Sequence, residues 1–224
     1  MRGRVLLRRN WHARLFLAFF LLTPGAIAFA GGADDLRQRV ANIYGIEGGN
    51  RVQQWRELIA EVRTLAEVEQ IERVNQFFNR MNARSDIAHW GSRDYWATPI
   101  ELLGSNAGDC EDFSIAKYIT LIELGIPDDR MRITYTRFLP RDQAHMVLTY
   151  YPTPESEPLV LDNVDPNIRA ASTRSDLTPV FSFNGDGLWS NEPVGIDRRV
   201  GDASGLKPWR ALRTRLAMSE VAVQ

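Results

Sequence analysis

The sequence contains very little sulfur and almost no net charge. Its 224 residues include one cysteine, Cys110, and three histidines, and the formal net charge is −1. A single cysteine excludes an internal disulfide framework. Because the charge is near zero, with no long run of one sign, we expect no nucleic acid partner. With 44% hydrophobic and 25% charged residues, the chain is nevertheless typical of a globular protein with a buried core.

The first thirty residues have the pattern of a secretory signal peptide. Five arginines within positions 2–14 lead into the apolar stretch LFLAFFLLTPGAIA, and Ala28-Phe29-Ala30 provides a small-x-small cleavage signal. The alternative, an uncleaved membrane anchor, needs a longer uninterrupted apolar run than this segment has. We predict that residues 1–30 are removed and that the mature protein is periplasmic, not embedded in the membrane. A lone thiol in that oxidising compartment is exposed to oxidation, so Cys110 is expected to have a function.

Two patterns follow one another along the mature chain. From about 34 to 82, apolar residues recur at spacings of three and four, which predicts helices with one packing face. A loop rich in tryptophan and small polar residues is predicted over 82–108. A further helix is predicted over 109–124, closed by Gly125 and Pro127, and its many apolar residues indicate that it is buried nearly all round.

After this helix the apolar pattern changes to a period of two. Clusters of proline, aspartate, glycine and serine separate the segments MRITYTRF, AHMVLTYY, LVLDN and VFSFN, which are predicted to be strands. A C-terminal helix at about 208–218 is predicted to pack through Trp209, Leu212 and Leu216. The predicted fold class is α+β, with an antiparallel sheet packed on a buried helix in a single domain that spans residues 31–224.

The only cysteine lies in the acidic stretch NAGDCEDFS, at the start of the predicted helix. Asp109 precedes it, Glu111 and Asp112 follow it, and each negative charge opposes the thiolate that a nucleophile requires. The helix start acts in the opposite direction, because its unpaired N–H groups stabilise negative charge and can bind an oxyanion. The acids also have a structural explanation, since Asp109 as N-cap and Asp112 three residues later resemble a capping box.

A cysteine nucleophile also needs a base and a group that orients the base. His12 lies in the predicted signal peptide, which leaves His89 in the predicted loop and His145 near the start of the strand AHMVLTYY. Asp162 ends the strand LVLDN, and neighbouring strands of one sheet can bring its carboxylate beside His145. Each residue has a structural alternative: a buried thiol is often a small hydrophobic side chain, a strand histidine a satisfied core residue, and an aspartate at a strand end a turn former.

At these positions the sequence resembles a known family. The run WATPIELLGSNAGDCEDFSIAKYITLIELGI, followed by AHMVLTYY and LVLDNVDP, resembles the bacterial transglutaminase-like cysteine proteinases, the LapG-type periplasmic proteases of biofilm adhesins. The matching motifs cover about residues 94–166. The resemblance implies a papain/transglutaminase-like core at about 83–207, with Cys110 as nucleophile, His145 as general base and Asp162 as the carboxylate that orients the base.

The resemblance also implies a bound calcium ion. It points to Asp109 and Glu111 as ligands, and Asp112 is added as a weaker candidate because calcium prefers several oxygen ligands. One carboxylate about 5 Å from a thiolate opposes its ionisation by roughly 3 kcal/mol at an effective dielectric of about 20, and a divalent cation would reverse the sign of that field. Capping and calcium binding are compatible roles for these acids. Trp96 is predicted either to line the substrate cleft or to anchor the core.

The function expected from the resemblance is calcium-dependent cleavage of a large, repeat-containing surface adhesin. Cleavage is expected near the N-terminus of the adhesin, at a pair of alanines, and would release the adhesin and disperse the biofilm. The expected inhibitor is the periplasmic domain of an inner-membrane receptor for cyclic di-GMP. Two alternatives stay open: an acyltransferase that uses the same three residues for crosslinking, and a non-catalytic binding module in which Cys110 only packs.

Overall fold

The computed structural model describes residues 25–153, 155–191 and 197–221. Most of the predicted signal peptide lies outside these residues, and only its positions 25–30 are described, as backbone of the first helix. Cleavage after Ala30 therefore stays a prediction. Within the described ranges, no helix has the length and apolar character needed to cross a bilayer.

Helices occupy most of the first half of the described chain and its C-terminal end. They are α1 (Gly25–Tyr44), α2 (Ile46–Val62), α3 (Glu67–Phe78), α4 (Asp86–Trp90), α5 (Pro99–Ser105), α6 (Cys110–Glu123) and α7 (Lys207–Val221). The break between α1 and α2 is at Gly45, whose φ of 82° lies in the left-handed region that favours glycine.

The packing faces of α2 and α3 follow the predicted spacing of three and four. The residues buried on them include Val52, Trp55, Ile59, Val62, Ile71, Val74 and Phe78. Burial of these apolar side chains, rather than helix propensity alone, is what stabilises helices of this length. The prediction of an amphipathic helical region ahead of the cysteine is therefore confirmed.

The segment 82–108, predicted as a loop, contains regular structure. It holds α4, α5 and two short parallel strands, β1 (Asn82–Ala83) and β2 (Ala107–Gly108). A capping box starts α5: the Thr98 hydroxyl accepts a hydrogen bond from the Glu101 N–H, and the Glu101 carboxylate accepts one from the Thr98 N–H. The loop prediction is wrong here because helices of five and seven residues are too short to show a period in the sequence.

The remaining described strands form one antiparallel sheet. They are β3 (Met131–Phe138), β4 (Gln143–Tyr150), β5 (Leu159–Leu161), β6 (Arg169–Ala170), β7 (Leu177–Phe183), β8 (Leu188–Ser190) and β9 (Arg198–Gly201). Their order in the sheet is β6-β5-β4-β3-β7-β8-β9. The four segments with a period of two are β3, β4, β5 and β7, so their prediction as strands is confirmed, whereas β6, β8 and β9 are additional.

Helix α6 packs against β4 and β3 of this sheet. Phe113, Ile115 and Leu121 on α6 are buried, and the exposed residues of the helix lie in its last turn, where Ile122 is 38% exposed. On its other side α6 contacts α3 and α5. The structure thus confirms the α+β fold class, with the cysteine-bearing helix buried against an antiparallel sheet.

Candidate active site

The side chain of Asp112 fixes the start of α6. Its Oδ2 accepts a hydrogen bond from the Asp109 N–H (3.2 Å) and its Oδ1 accepts one from the Ala97 N–H (2.6 Å). The carboxyl group is fully buried, and burial raises its pKa to about 8. A side chain at Gly108 would collide with it, since a Cβ there would lie 2.5 Å from Asp112 Oδ2. Of the capping box expected from the sequence, the bond from the Asp109 N–H to the Asp112 carboxylate is present, and Cys110 follows as the first residue of α6.

The environment of the Cys110 thiol favours its protonated form. The thiol donates to Glu111 Oε2, 3.1 Å from Sγ. Burial, and next the charge of Glu111, raise the pKa of the thiol well above its ordinary value, while a hydrogen bond from the Met146 N–H acts in the opposite direction. The contact with Met146 also places the sulfur beside the residue that follows His145 on β4.

His145 and Asp162 form a buried hydrogen-bonded pair. The imidazole Nε2 lies 2.8 Å from Asp162 Oδ1, and the two residues are 3% and 1% exposed. Burial alone would raise the pKa of Asp162, but hydrogen bonds from His145, the Val164 N–H and Arg174 hold it well below its ordinary value. Because an ionised carboxylate accepts the Nε2–H, Nδ1 is the imidazole nitrogen with a free lone pair.

Helix α3 holds the segment that carries Asp162. Asn79 donates from Nδ2 to the backbone carbonyl of Asp162 (2.8 Å), and Asn75 donates from Nδ2 to the carbonyl of Pro166 (2.9 Å). These contacts join residues more than eighty positions apart, so no local pattern in the sequence shows them. The N-terminal helices therefore position the acid of the pair in addition to covering the core.

Arg174 is a further residue at this site that the sequence analysis did not identify. It is 5% exposed, and its Nη2 lies 2.8 Å from Asp162 Oδ2. The same guanidinium binds Asp176, with Nη2 2.8 Å from Oδ2 and Nε 2.9 Å from Oδ1. One oxygen of Asp162 therefore faces an imidazole and the other a guanidinium.

The acids near Cys110 form a cluster that includes one residue not predicted. Asp86, the first residue of α4, lies with Asp109 and Glu111 so that one oxygen from each is within 4.8 Å of the other two. Asp86 Oδ2 accepts from the Tyr95 N–H at 2.6 Å. Burial, together with the charge of Glu111, raises the pKa of Asp86 to about 6. No local pattern in the sequence indicates this residue, because it lies 23 positions before Asp109 in a segment predicted as loop.

This cluster fits a calcium ion. Calcium–oxygen bonds are about 2.3–2.6 Å long, so oxygens on opposite sides of one ion lie at most about 5 Å apart. The spread of 4.8 Å within the cluster meets that limit. In addition, Asp86 Oδ1 and Asp109 Oδ1 are buried without a hydrogen-bond partner among the described residues. Such oxygens are the ligands that calcium prefers, and backbone carbonyls or water can complete its coordination.

Three other sequence candidates are not members of this cluster. Both oxygens of Asp112 are bound to backbone N–H groups, which suits capping better than metal binding. Trp96 is 6% exposed, and its ring stacks on Phe183 at a centroid distance of 5.4 Å, as expected for a core anchor. His89 Nε2 lies 2.9 Å from Ser105 Oγ, in a hydrogen bond that does not involve Asp162.

A family described as bacterial transglutaminase-like cysteine proteinase matches residues 51–177, more than half of the chain. The chain belongs to this family. The matched range includes Cys110, His145, Asp162 and Arg174. A comparison with curated proteins finds no match.

Solved structures of LapG from Legionella pneumophila resemble this cysteine proteinase along most of its length. The first is 42% identical, its alignment covers 82% of this chain and 96% of LapG, and the TM-score is 0.71. The alignment with a calcium-bound LapG structure, also 42% identical, covers 98% of that chain, with a TM-score of 0.70. The alignment with an EGTA-treated LapG structure covers 96% of that chain, with a TM-score of 0.72. The likeness confirms the transglutaminase-like fold.

This cysteine proteinase also buries a lysine near its candidate site. Lys117 is fully buried on α6, and its Nζ has no hydrogen-bond partner among the described residues. Burial lowers its pKa from 10.5 to about 7, against the attraction of Asp162. Between about pH 7 and 10.5 the unfolded chain therefore binds more protons than the folded chain, so the stability of the fold rises with pH across that window. Below pH 7 the full free-energy cost of burying the charged lysine is present.

We expect Lys117→Met to stabilise the fold most at pH 7 and below. At about 1.4 kcal/mol per pKa unit, the buried charge costs at most about 5 kcal/mol at pH 6, and this part of the gain should vanish above pH 10.5. Urea unfolding of both proteins from pH 6 to 10 measures it. The control is Lys207→Met, because Lys207 is exposed at the start of α7. A gain that is independent of pH, or equal for the two variants, would contradict this account.

Proposed function

We propose that this protein is a calcium-dependent periplasmic cysteine endopeptidase. The observation that supports it best is the position of the only cysteine, at the start of α6. There the Met146 N–H contacts its sulfur, one residue from the buried His145–Asp162 pair. Membership of a cysteine proteinase family supports the class of reaction.

In this proposal Cys110 is the nucleophile and His145 the general base. His145 Nδ1 takes the thiol proton as the sulfur attacks the carbonyl carbon of the scissile peptide, which forms a tetrahedral intermediate. Backbone N–H groups at the start of α6 stabilise the charge on the carbonyl oxygen. The intermediate collapses as His145 gives the proton to the leaving amine, leaving a thioester. Water, deprotonated by the same imidazole, then attacks the thioester, releases the carboxylic acid product and restores the thiol.

Asp162 orients the imidazole and stabilises its protonated form. It accepts the Nε2–H and so keeps the lone pair on Nδ1, the nitrogen proposed to face the thiol. Its pKa lies below its ordinary value, so the carboxylate remains ionised at neutral pH and throughout the reaction. The Thr136 hydroxyl, which donates to the His145 carbonyl at 2.9 Å, fixes the backbone beneath the ring.

Asp86, Asp109 and Glu111 are the residues proposed to hold calcium. The bound ion supplies positive charge at the acidic start of α6, next to the nucleophile. Glu111 links the nucleophile to this site, because its carboxylate accepts a hydrogen bond from the Cys110 thiol and also belongs to the acidic cluster. The existence of a calcium-bound LapG structure supports this part of the proposal.

The proposed substrate is a large, repeat-containing surface adhesin, cut near its N-terminus at a pair of alanines. Its release would disperse the biofilm, and the proposed inhibitor is the periplasmic domain of an inner-membrane cyclic di-GMP receptor. This part of the proposal rests on the resemblance of the motifs around Cys110, His145 and Asp162 to the periplasmic proteases of biofilm adhesins. The predicted signal peptide supports the periplasmic location.

Incubation with an N-terminal adhesin fragment that contains a pair of alanines tests the reaction. We expect two smaller products, a cut between the alanines by mass spectrometry, and complete inhibition when iodoacetamide has alkylated Cys110. A ladder of heavier species would instead identify an acyltransferase that uses amines in place of water. An unchanged fragment, with calcium present, would argue for a binding module.

A further inference from the structure

The carboxylate of Asp162 is held from two sides. Its Oδ1 is bound by the His145 imidazole and its Oδ2 by the Arg174 guanidinium, each at 2.8 Å. The side chains of all three residues are 4% exposed or less, so water does not compete for these bonds. Without the guanidinium, the carboxylate would be bound only at Oδ1, by the imidazole and by the Val164 N–H (2.9 Å), and Oδ2 could turn about the last torsion, which is broad and soft in aspartate.

The guanidinium that binds Asp162 is also held by a second carboxylate. Asp176 binds it through two parallel bonds, from Nε to Oδ1 at 2.9 Å and from Nη2 to Oδ2 at 2.8 Å. This bidentate geometry requires the planar fork of arginine, because an ammonium group is a single point of charge. Asp176, with a side chain 32% exposed, thus anchors the end of a chain of hydrogen bonds that leads inward to the imidazole.

We propose that Arg174 is a positioning residue that holds the Asp162 carboxylate in the orientation needed to bind the His145 ring. The catalytic consequence rests on the proposed function, whereas the effect on the imidazole does not. The hydrogen bonds described for the Arg174 guanidinium go to Asp162 and Asp176 and not to Cys110, so its contribution is expected to pass through Asp162. Loss of its bond should therefore lower kcat and leave KM nearly unchanged.

The imidazole can be observed without catalysis. In a Cys110→Ala background, the ring N–H that His145 donates to Asp162 should give a proton resonance at low field, identified by its loss in His145→Gln and its retention in His89→Gln. We expect Arg174→Met to abolish or broaden this resonance, since the bond becomes less ordered. Arg174→Lys, which restores the charge and one bond, should recover it in part.

Two further variants separate positioning from general loss of structure. Asp176→Asn leaves Arg174 and Asp162 in place but weakens the anchor, so it should shift the resonance less than Arg174→Met does. Arg169→Met is the matched control, because Arg169 pairs with Asp165 at 2.9 Å on the surface, with half of its side chain exposed. This control should leave the resonance unchanged.

Kinetics on the adhesin fragment complete the test. We expect kcat to fall about 10–100-fold in Arg174→Met, the range produced by a displaced catalytic group, with a smaller loss in Arg174→Lys. An unchanged resonance and unchanged kcat in folded Arg174→Met would overturn the positioning role. If the resonance responds as expected but the wild-type protein cleaves nothing, the positioning role stands and the proposed protease function fails.

Discussion

Replacing Cys110 with alanine is expected to abolish cleavage of the adhesin fragment. The sulfur is the proposed attacking atom, and removing a covalent nucleophile from such a site lowers the rate by about 10⁴-fold or more. The side chain is small and partly buried at the helix start, so the variant should fold as the wild type does. Product formation by gel and mass spectrometry, with circular dichroism to check folding, measures the effect. Full cleavage by Cys110→Ala would remove the protease proposal and favour the binding module.

The same assay on the two histidines tests the assignment of the base. His145→Ala should be inactive, because it removes both the proton acceptor and the partner of Asp162. His89→Ala should stay close to wild type, since that ring bonds Ser105 instead. An inactive His89→Ala together with an active His145→Ala would instead identify His89, on α4, as the base.

Removal of calcium is expected to abolish activity, and loss of one cluster acid should raise the calcium concentration needed to restore it. EGTA should stop cleavage by the wild type, and added calcium should restore it. Asp86→Asn is the most informative substitution, because the amide still accepts the hydrogen bond of the Tyr95 N–H but lacks the charge that attracts a cation. We expect this variant to need far more calcium than the wild type for the same activity.

Thermal unfolding gives a second measure of calcium binding that does not depend on activity. An ion present at 100 times its Kd stabilises the fold that binds it by about 2.7 kcal/mol, which raises Tm. The increase should be present in the wild type and in Asp129→Ala, an exposed aspartate outside the cluster, and absent in Asp86→Asn. Activity that persists in EGTA, or an equal rise in Tm for Asp86→Asn, would exclude this site as the calcium site.

The residues with a strong local signal were predictable from the sequence. Cys110 is the only thiol, and the acids beside it mark both a helix start and a candidate cation site. His145 and Asp162 each lie in or directly after a strand with a clear apolar pattern, and the structure joins them by a hydrogen bond of 2.8 Å. A pattern with a period of two identifies strands, and consecutive strands commonly pair, so this contact followed from elementary topology.

The residues missed were those whose role depends on distant contacts. Asp86 lies in a helix too short to show a period, and its approach to Glu111 depends on the fold of the segment between them. Arg174 follows a short 3₁₀ turn in a segment of ordinary polar composition, and its partner Asp162 is twelve positions away. Asn79, on α3, reaches the Asp162 carbonyl across 83 positions. Polar residues of these types are common on surfaces, so their burial was the informative observation.

By itself, the sequence determined the order of helices and strands, the location of the thiol at a helix start and the resemblance to a cysteine proteinase family. Periodicity and capping act within a few residues, and such local preferences can be recognised without a structure. Only the tertiary structure decided which acidic residue joins Asp109 and Glu111, and which positively charged side chain binds the second oxygen of Asp162. Those choices depend on a few ångströms of packing between α3, α4, α6 and the sheet, and burial there turns ordinary polar side chains into strong electrostatic partners.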